Sequence, residues 1–322
     1  MELDDITAGV DIGGTKIQAA AVRGDEVLGA HRVMTPQASV RELVAAVGEA
    51  IEKAASDAGA RMTDLAAVGT GVPGTVVASA GTVENANNVP GLDTPDPVPL
   101  APMISEALGG LPVRLENDAR VALLGEWKRG AGRPYRDLLG VWVGTGVGGG
   151  LVLGGELHEG QGAAGEIGHM TVKPDGRVCS DGRRGHLEAY AGRGRMEARA
   201  RRLVKEGRKT ILFDLMQRRG RSRLSSGVIA DALERGDRMA HDLIDDAVWA
   251  LGLALASVQN LLALEAIIVG GGLGDRLGAP FVERVEAEMR PQLFVPEHPP
   301  VMLTTKFGDL SGAVGAAVLV GA

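Results

Sequence analysis

Ala8-Gly9-Val10-Asp11-Ile12-Gly13-Gly14-Thr15-Lys16-Ile17-Gln18-Ala19-Ala20-Ala21-Val22-Arg23 reads as two short strands, Ala8–Ile12 and Lys16–Arg23, broken by a glycine pair. Glu26–Val33 continues as a third, so the chain opens on antiparallel strands. An amphipathic helix follows over Ser39–Gly59, with Leu43, Val47 and Ile51 at helical spacing and Gly59 as its stop. Leu65–Gly71 and Val113–Glu116 are further strands, and Ala119–Lys128 a second helix. The order then recurs. Leu138–Val143 and Leu151–Leu153 flank the glycine cluster Gly144–Gly150 as a second hairpin, and a strand ending at Ile267-Ile268 runs into Gly270-Gly271-Gly272. Antiparallel hairpins that give way to alternating helices and strands predict mixed α/β sheets covered on both faces. Their recurrence predicts two related α/β lobes with a central cleft.

The composition agrees. The chain has 322 residues, 45% of them hydrophobic and 23% charged, which are globular values. Lys and Arg total 34 against 41 Asp and Glu, a net charge of −7 that argues against nucleic acid as the main partner. The single cysteine, Cys179, excludes an intrachain disulfide and fits a reducing compartment. Forty-eight glycines and 3% aromatic residues predict an aliphatic core and many turns built without a Cβ. Met1–Thr7 is acidic and leads straight into a strand, unlike a leader sequence. The apolar run Ala247–Leu264 is interrupted by Gly252, Ser257, Gln259 and Asn260, so it reads as a buried helix rather than a membrane span. Together these features predict a cytoplasmic protein with no membrane partner. Asn85–Pro102, rich in Pro and Asn, reads as an ordered loop. The basic stretch Arg193–Arg223 reads as a solvated helical hairpin, with a polyanion site as the alternative.

Three stretches match G-x-G-x-x-G, at Gly69/Gly71/Gly74, Gly144/Gly146/Gly149 and Gly160/Gly162/Gly165. In so glycine-rich a chain roughly one match arises by chance. A dinucleotide site also needs a helix after the glycines, yet extended residues follow Gly74 and Gly149. The P-loop pattern is absent from the sequence. A strand–glycine turn–strand can nevertheless hold phosphate, because its backbone N–H groups converge into an anion-binding nest. Asp11, Gly13, Gly14, Thr15 and Lys16 supply such a turn, with a carboxylate for Mg²⁺, a hydroxyl and a cation. Thr145 and Gly146 lie in a second turn, and Gly271 and Gly272 follow a strand where adenine could be admitted. Taken singly, each turn is also consistent with an ordinary hairpin.

Asp11–Lys16, Glu116-Asn117-Asp118, Gly144–Gly150, Gly165-Glu166-Ile167-Gly168-His169 and Gly182–Glu188 occur in the order found in the ROK family (repressor, open reading frame, kinase). The resemblance spans essentially the whole chain and is greatest to bacterial glucokinases. It implies the two-lobed actin/hexokinase-like (ribonuclease H-like) fold, ATP with Mg²⁺ as phosphoryl donor, and transfer to the 6-hydroxyl of a hexose. The division expected is 1–117 with about 306–322 as the smaller lobe and 118–305 as the larger. Asp118 matches the family's catalytic aspartate, although by local sequence alone it is equally a helix N-cap. Asn117, Glu166, His169 and Glu188 match its sugar ligands, as does Asn88, whose local alternative is a loop former bonded to its own backbone.

The chain departs from the family at the zinc motif C-x-C-G-x-x-G-C-x-E. Here Cys179-Ser180-Asp181-Gly182-Arg183-Arg184-Gly185-His186-Leu187-Glu188 puts Asp181 and His186 where two cysteines stand. His169, Cys179, Asp181 and His186 remain a chemically possible tetrahedral Zn²⁺ set, and a metal-free loop is the alternative. The resemblance leaves the sugar open among glucose, fructose, mannose and the N-acetylhexosamines, and the donor open between ATP and polyphosphate. A homodimer or homotetramer is expected from the same resemblance. The family's sugar-responsive repressors carry a helix-turn-helix before the first glycine turn. Only ten residues precede Asp11, which disfavours that reading.

Overall fold

A computed structural model describes residues 5–86 and 89–321. The chain begins with β1 (Ile6–Ile12), β2 (Lys16–Arg23) and β3 (Glu26–Met34), then α1 (Val40–Asp57), β4 (Leu65–Val72), β5 (Thr75–Val77) and β6 (Thr82–Glu84). After these come α2 (Leu100–Ala107), β7 (Val113–Asn117) and α3 (Asp118–Arg129). A second series holds β8 (Leu138–Val143), β9 (Val147–Leu153), β10 (Glu156–His158), α4 (Glu188–Ala191), α5 (Arg193–Lys205), α6 (Leu212–Arg218) and α7 (Ser226–Glu234). It closes with α8 (Arg238–Leu262), β11 (Ala266–Gly270), α9 (Gly271–Met289) and β12 (Val301–Thr304), before α10 (Ser311–Gly321) ends the chain. No helix among the described residues is long and apolar enough to cross a membrane.

The chain divides into two compact units. One comprises Met1–Tyr135, Glu156–Ala164 and Asp309–Ala322, and the other Arg136–Gly155 with Gly165–Gly308. The first sheet has the order β3-β2-β1-β4-β7, with β1, β4 and β7 parallel and β2 antiparallel to both its neighbours. In the second unit β9, β8, β11 and β12 lie in that order, with β8, β11 and β12 parallel and β9 antiparallel to β8. The pattern of β2-β1-β4-β7 is therefore repeated as β9-β8-β11-β12, the recurrence that the two hairpins predict. In each parallel set the loops leaving the carboxyl ends of the strands share one edge, where open α/β sheets place their ligands.

The division differs from one made at Asp118, because α3 groups with the first unit. Helices α3 and α10 pack backbone to backbone. A Cβ at Gly315 would stand 1.6 Å from the Val121 carbonyl oxygen, and one at Gly125 would stand 2.7 Å from that of Ser311. The other face of α10 lies on the sheet over Gly9 and Gly69, which are register partners on β1 and β4. Cβ atoms there would come within 1.8 and 1.7 Å of the carbonyl oxygens of Ala313 and Ala316. Part of the glycine excess thus serves close approach of helix to sheet rather than turns. The core under the opposite face of this sheet is aliphatic, built on Ile12, Ile17, Leu43, Ile51, Leu100, Ile104 and Leu115. Tyr190 and Phe281 enter the second unit's core.

Local signals set most boundaries. Ser39 caps α1 by accepting the Glu42 N–H at 3.3 Å, and Gly59, at φ +72°, follows the helix end. The loop expected over Asn85–Pro102 is shorter than read. Val83 bridges to Val98, and α2 begins at Leu100, whose side chain and that of Ile104 are buried. The prolines at 97, 99 and 102 hide this start because two lie before the helix and Pro102 sits in its first turn, where a missing N–H costs nothing. The basic stretch forms α5 and α6, with Arg201 paired to Glu197, Arg208 to Asp242 and Arg219 to Asp231, as a solvated helical pair requires.

Candidate active site

In the first unit Asp11 lies near the end of β1, and its register partner on β4 is Gly71, itself paired with Glu116 on β7. Asp118 follows two residues beyond. The local sequence allows Asp118 to be a helix cap, but that place belongs to Asn117. The Asn117 Oδ1 accepts from Ala119 N at 3.0 Å and Arg120 N at 3.3 Å, while its Nδ2 donates to the Gly74 carbonyl at 3.2 Å. Asp118 is the first residue of α3, and its Oδ1 accepts the Ala119 N–H at 2.9 Å. The Asn117 amide, matched to a sugar ligand in the sequence, is therefore already engaged at both ends. Beneath it the Glu116 carboxylate accepts the Asn117 N–H and a buried Arg120 guanidinium donor, each at 2.6 Å. Burial pushes the Glu116 carboxyl up, against the pull of these two partners.

Gly13 N–H donates to the Lys16 carbonyl at 2.9 Å, closing the first glycine turn over Gly14 and Thr15. Thr35, at the end of β3, fastens it by donating its hydroxyl to Gly13 O at 2.6 Å. Lys16 Nζ is 3.0 Å from Asp309 Oδ1, so its charge is balanced by a carboxylate. Asp11 is half-buried. Burial, the Asp118 charge and the Asp309 charge push its carboxyl up to about 7, with Lys16 opposing. Two neighbouring carboxylates at one sheet edge form a hard-oxygen donor pair that suits Mg²⁺.

In the second unit the Gly144–Gly146 turn is closed by Gly144 N–H donating to Gly146 O at 2.9 Å. Its glycines answer different demands. A Cβ at Gly146 would strike the Glu188 carboxylate at 2.2 Å, and one at Gly149 would come within 2.6 Å of the Gly165 carbonyl oxygen. Glu188 Oε2 accepts the Val147 N–H at 3.0 Å, whereas Oε1 accepts from the Ser180 hydroxyl and the Cys179 thiol. One carboxylate thus joins the glycine turn to the Cys179–Ser180 loop. His169 Nε2 lies 4.0 Å from the exposed Glu166 carboxylate, and its Nδ1 lies 3.1 Å from Asp181 Oδ2. Gly271, at φ +79°, starts α9 close against β8, where a Cβ would sit 2.7 Å from Val143 N. Asn88 lies outside the described residues.

His169, Cys179, Asp181 and His186 each offer a ligand atom, and these atoms lie within 4.8 Å of one another. His186 Nδ1 is buried and makes no hydrogen bond, although Asp181 Oδ2 is 3.2 Å away, so its direction suits another acceptor of its lone pair. The set therefore fits a four-coordinate Zn²⁺ with one thiolate, one carboxylate and two imidazoles. Without metal, burial pushes the Cys179 thiol up.

Sequence reasoning missed Asp309, Thr35 and Arg193. Asp309 and Thr35 are distant in sequence from the turn they serve and carry no local motif. Arg193 is framed by Gly192 and Gly194 inside a basic stretch, and that framing is the signal.

Two sheets of one repeated order, with glycine turns and carboxylates at their carboxyl edges, define a phosphotransferase of the actin/hexokinase-like α/β class. The model for the ROK family matches residues 7–322, and the chain belongs to the ROK family. A glucokinase from Streptomyces coelicolor is 35% identical, over 98% of this chain and 97% of that protein. An N-acetyl-D-glucosamine kinase from Haemophilus influenzae is 30% identical, over 97% and 98% of the two chains. The crystal structure of a ROK family glucokinase from Streptomyces griseus, in complex with glucose and AMPPNP, superposes with a TM-score of 0.82 at 33% identity, covering 98% of each chain.

Proposed function

We propose that this phosphotransferase, a hexose kinase using ATP and a divalent metal, acts on glucose and phosphorylates its 6-hydroxyl. The observation that carries the reading is Asp118: it leaves the carboxyl end of β7, is relieved of capping by Asn117, and neighbours Asp11. Likeness to proteins named glucokinase supports glucose over other hexoses. In this reading Asp118 takes the proton from the sugar hydroxyl as that oxygen attacks the γ-phosphorus and the bond to the ADP oxygen breaks. Gly13, Gly14, Thr15 and Lys16, with Thr145 and Gly146, hold the phosphates, and Gly271 and Gly272 admit the adenosine. Asp11 would hold Mg²⁺, which when bound would neutralise charge on the phosphate oxygens. Glu166, His169 and Glu188 bond the sugar hydroxyls, along with the second Nδ2 hydrogen of Asn117, the first being given to the Gly74 carbonyl.

ADP release measured over glucose, fructose, mannose, N-acetylglucosamine and N-acetylmannosamine tests this reading. With ATP, kcat/KM is expected to be highest for glucose, and polyphosphate in place of ATP is expected to give little turnover. A higher value for an N-acetylhexosamine would overturn glucose, and no turnover with any sugar would overturn the kinase.

The zinc set serves structure in the same reading, fixing the loop that carries His169 and Glu188. Metal analysis of purified protein is expected to give about one zinc per chain, as a closed four-ligand site holds. The His186→Ala variant is expected to lose that zinc and melt at lower temperature. Equal zinc content in variant and parent would remove His186 from the set.

A further inference from the structure

Helix α5 begins against the second glycine turn: Arg193 N–H donates to Gly144 O at 3.1 Å and Gly194 N–H to Thr145 O at 2.9 Å. The Arg193 side chain then turns back over the same turn. Its Nη2 donates to Thr145 Oγ1 at 3.0 Å, and its Nη1 donates to Ser226 Oγ, at the start of α7, at 3.1 Å. The start of α9 closes the arrangement. A Cβ at Gly272 would stand 3.3 Å from Ser226 Oγ and 3.5 Å from Arg193 Nη1. One guanidinium therefore lies between the turn at residues 144–146 and the glycines at 271–272, the two ends of the proposed nucleotide site, and all of these groups are in one unit.

We propose that Arg193 binds the phosphates of the nucleotide donor and is a donor-specificity residue of this enzyme. The inference rests on the nucleotide reading of these two turns. A guanidinium presents its N–H groups in a planar fork that matches phosphate oxygens, and it stays charged at every working pH. Two hydroxyls hold this fork in place, so little side-chain freedom is lost when phosphate arrives. Glycine at 272 adds no side chain of its own beside Nη1, where a Cβ would stand 3.5 Å away. A position between adenosine and the terminal phosphate assigns Arg193 to the diphosphate portion, which ATP and ADP share.

The alternative is a brace that merely ties the glycine turn to α7, and the number of phosphates on the ligand separates the two roles. Titrations of ADP and adenosine against the parent, Arg193→Met and Arg193→Lys decide between them. Arg193→Met is expected to weaken ADP about 10- to 100-fold, the size of a lost charge-assisted contact, while adenosine changes less than about 2-fold. KM for MgATP should rise in step with ADP affinity and KM for glucose stay level. Arg193→Lys, which keeps the charge and loses the fork, should fall between. Equal weakening of ADP and adenosine would make Arg193 a brace and overturn the proposal, as would unchanged ADP affinity. Failure of the parent to bind ADP would instead strike the nucleotide reading beneath it.

Discussion

Asp118→Asn is expected to leave a folded protein whose kcat for sugar phosphorylation is lower by about 10²- to 10⁴-fold, the usual contribution of a positioned general base. Folding survives because the helix does not depend on this carboxylate. Asn117 supplies the cap, and the bond that Asp118 accepts from Ala119 N–H can be accepted by an amide oxygen as well. What is lost is a negative charge in the first turn of α3, worth about 0.3–1 kcal/mol against the helix dipole. Sugar KM should move little, because Asn retains the side chain's size and its oxygen. Thermal melts beside steady-state kinetics separate these effects, and Asp118→Ala provides a second variant without any acceptor. A kcat within about threefold of the parent for both would remove Asp118 as the base.

The sheet-forming parts of this fold are legible in the sequence because each is dictated locally. Gly13-Gly14 and Gly144–Gly146 break largely buried strands, and Ser39 and Gly59 bracket α1. Helix α2 escapes notice because prolines mark its entrance, and prolines at a helix start look like a loop in sequence. The place of α3 is harder to see for another reason. It is fixed by Gly125 and Gly315, 190 positions apart, whose missing side chains bring two backbones together. Nothing near either glycine announces its partner.

The candidate site divides along the same line. Residue types at Asp11, Lys16, Asp118, Glu188 and His169 are marked by motif, but their bonds are not. Sequence cannot say that Asn117 rather than Asp118 caps the helix, since both are good caps and only the backbone angle at the strand end selects one. Nor can it say that Glu188 spans from Val147 to Ser180, because that bridge forms when two loops fold onto one carboxylate. Asp181 and His186 break the expected cysteine pattern, yet they reach the same locus as Cys179 and His169. All four residue types there are ones that can ligate a metal, although two are not the cysteines expected.

Asp11→Asn is expected to stabilise the protein above neutral pH while removing most of its activity. Asp11 is half-buried beside Asp118 and Asp309; desolvation and those two charges, offset by Lys16, push its carboxyl up to about 7 from an ordinary value of 3.8. The folded chain therefore holds this proton more tightly than the unfolded chain. By linkage the parent loses stability as pH rises from about 4, and the whole penalty is present above about 7. A gap of about three pH units at about 1.4 kcal/mol each caps the penalty at about 4 kcal/mol. Asn carries no charge to bury, so its advantage over Asp should be small at pH 4 and grow through that window. Denaturant unfolding of both proteins at pH 5 and pH 8, without metal or nucleotide, measures it. Asp118→Asn should flatten the parent's slope in part, because it removes one of the charges that raise Asp11. Parallel stability curves for parent and Asp11→Asn between pH 5 and 8 would mean that the Asp11 carboxylate costs nothing to ionise. In that case the cation that it is proposed to meet would have no unfavourable charge to relieve, and MgATP would raise the melting temperature of both proteins equally. The expected result is the opposite: MgATP stabilises the parent at pH 8 and adds much less to the variant.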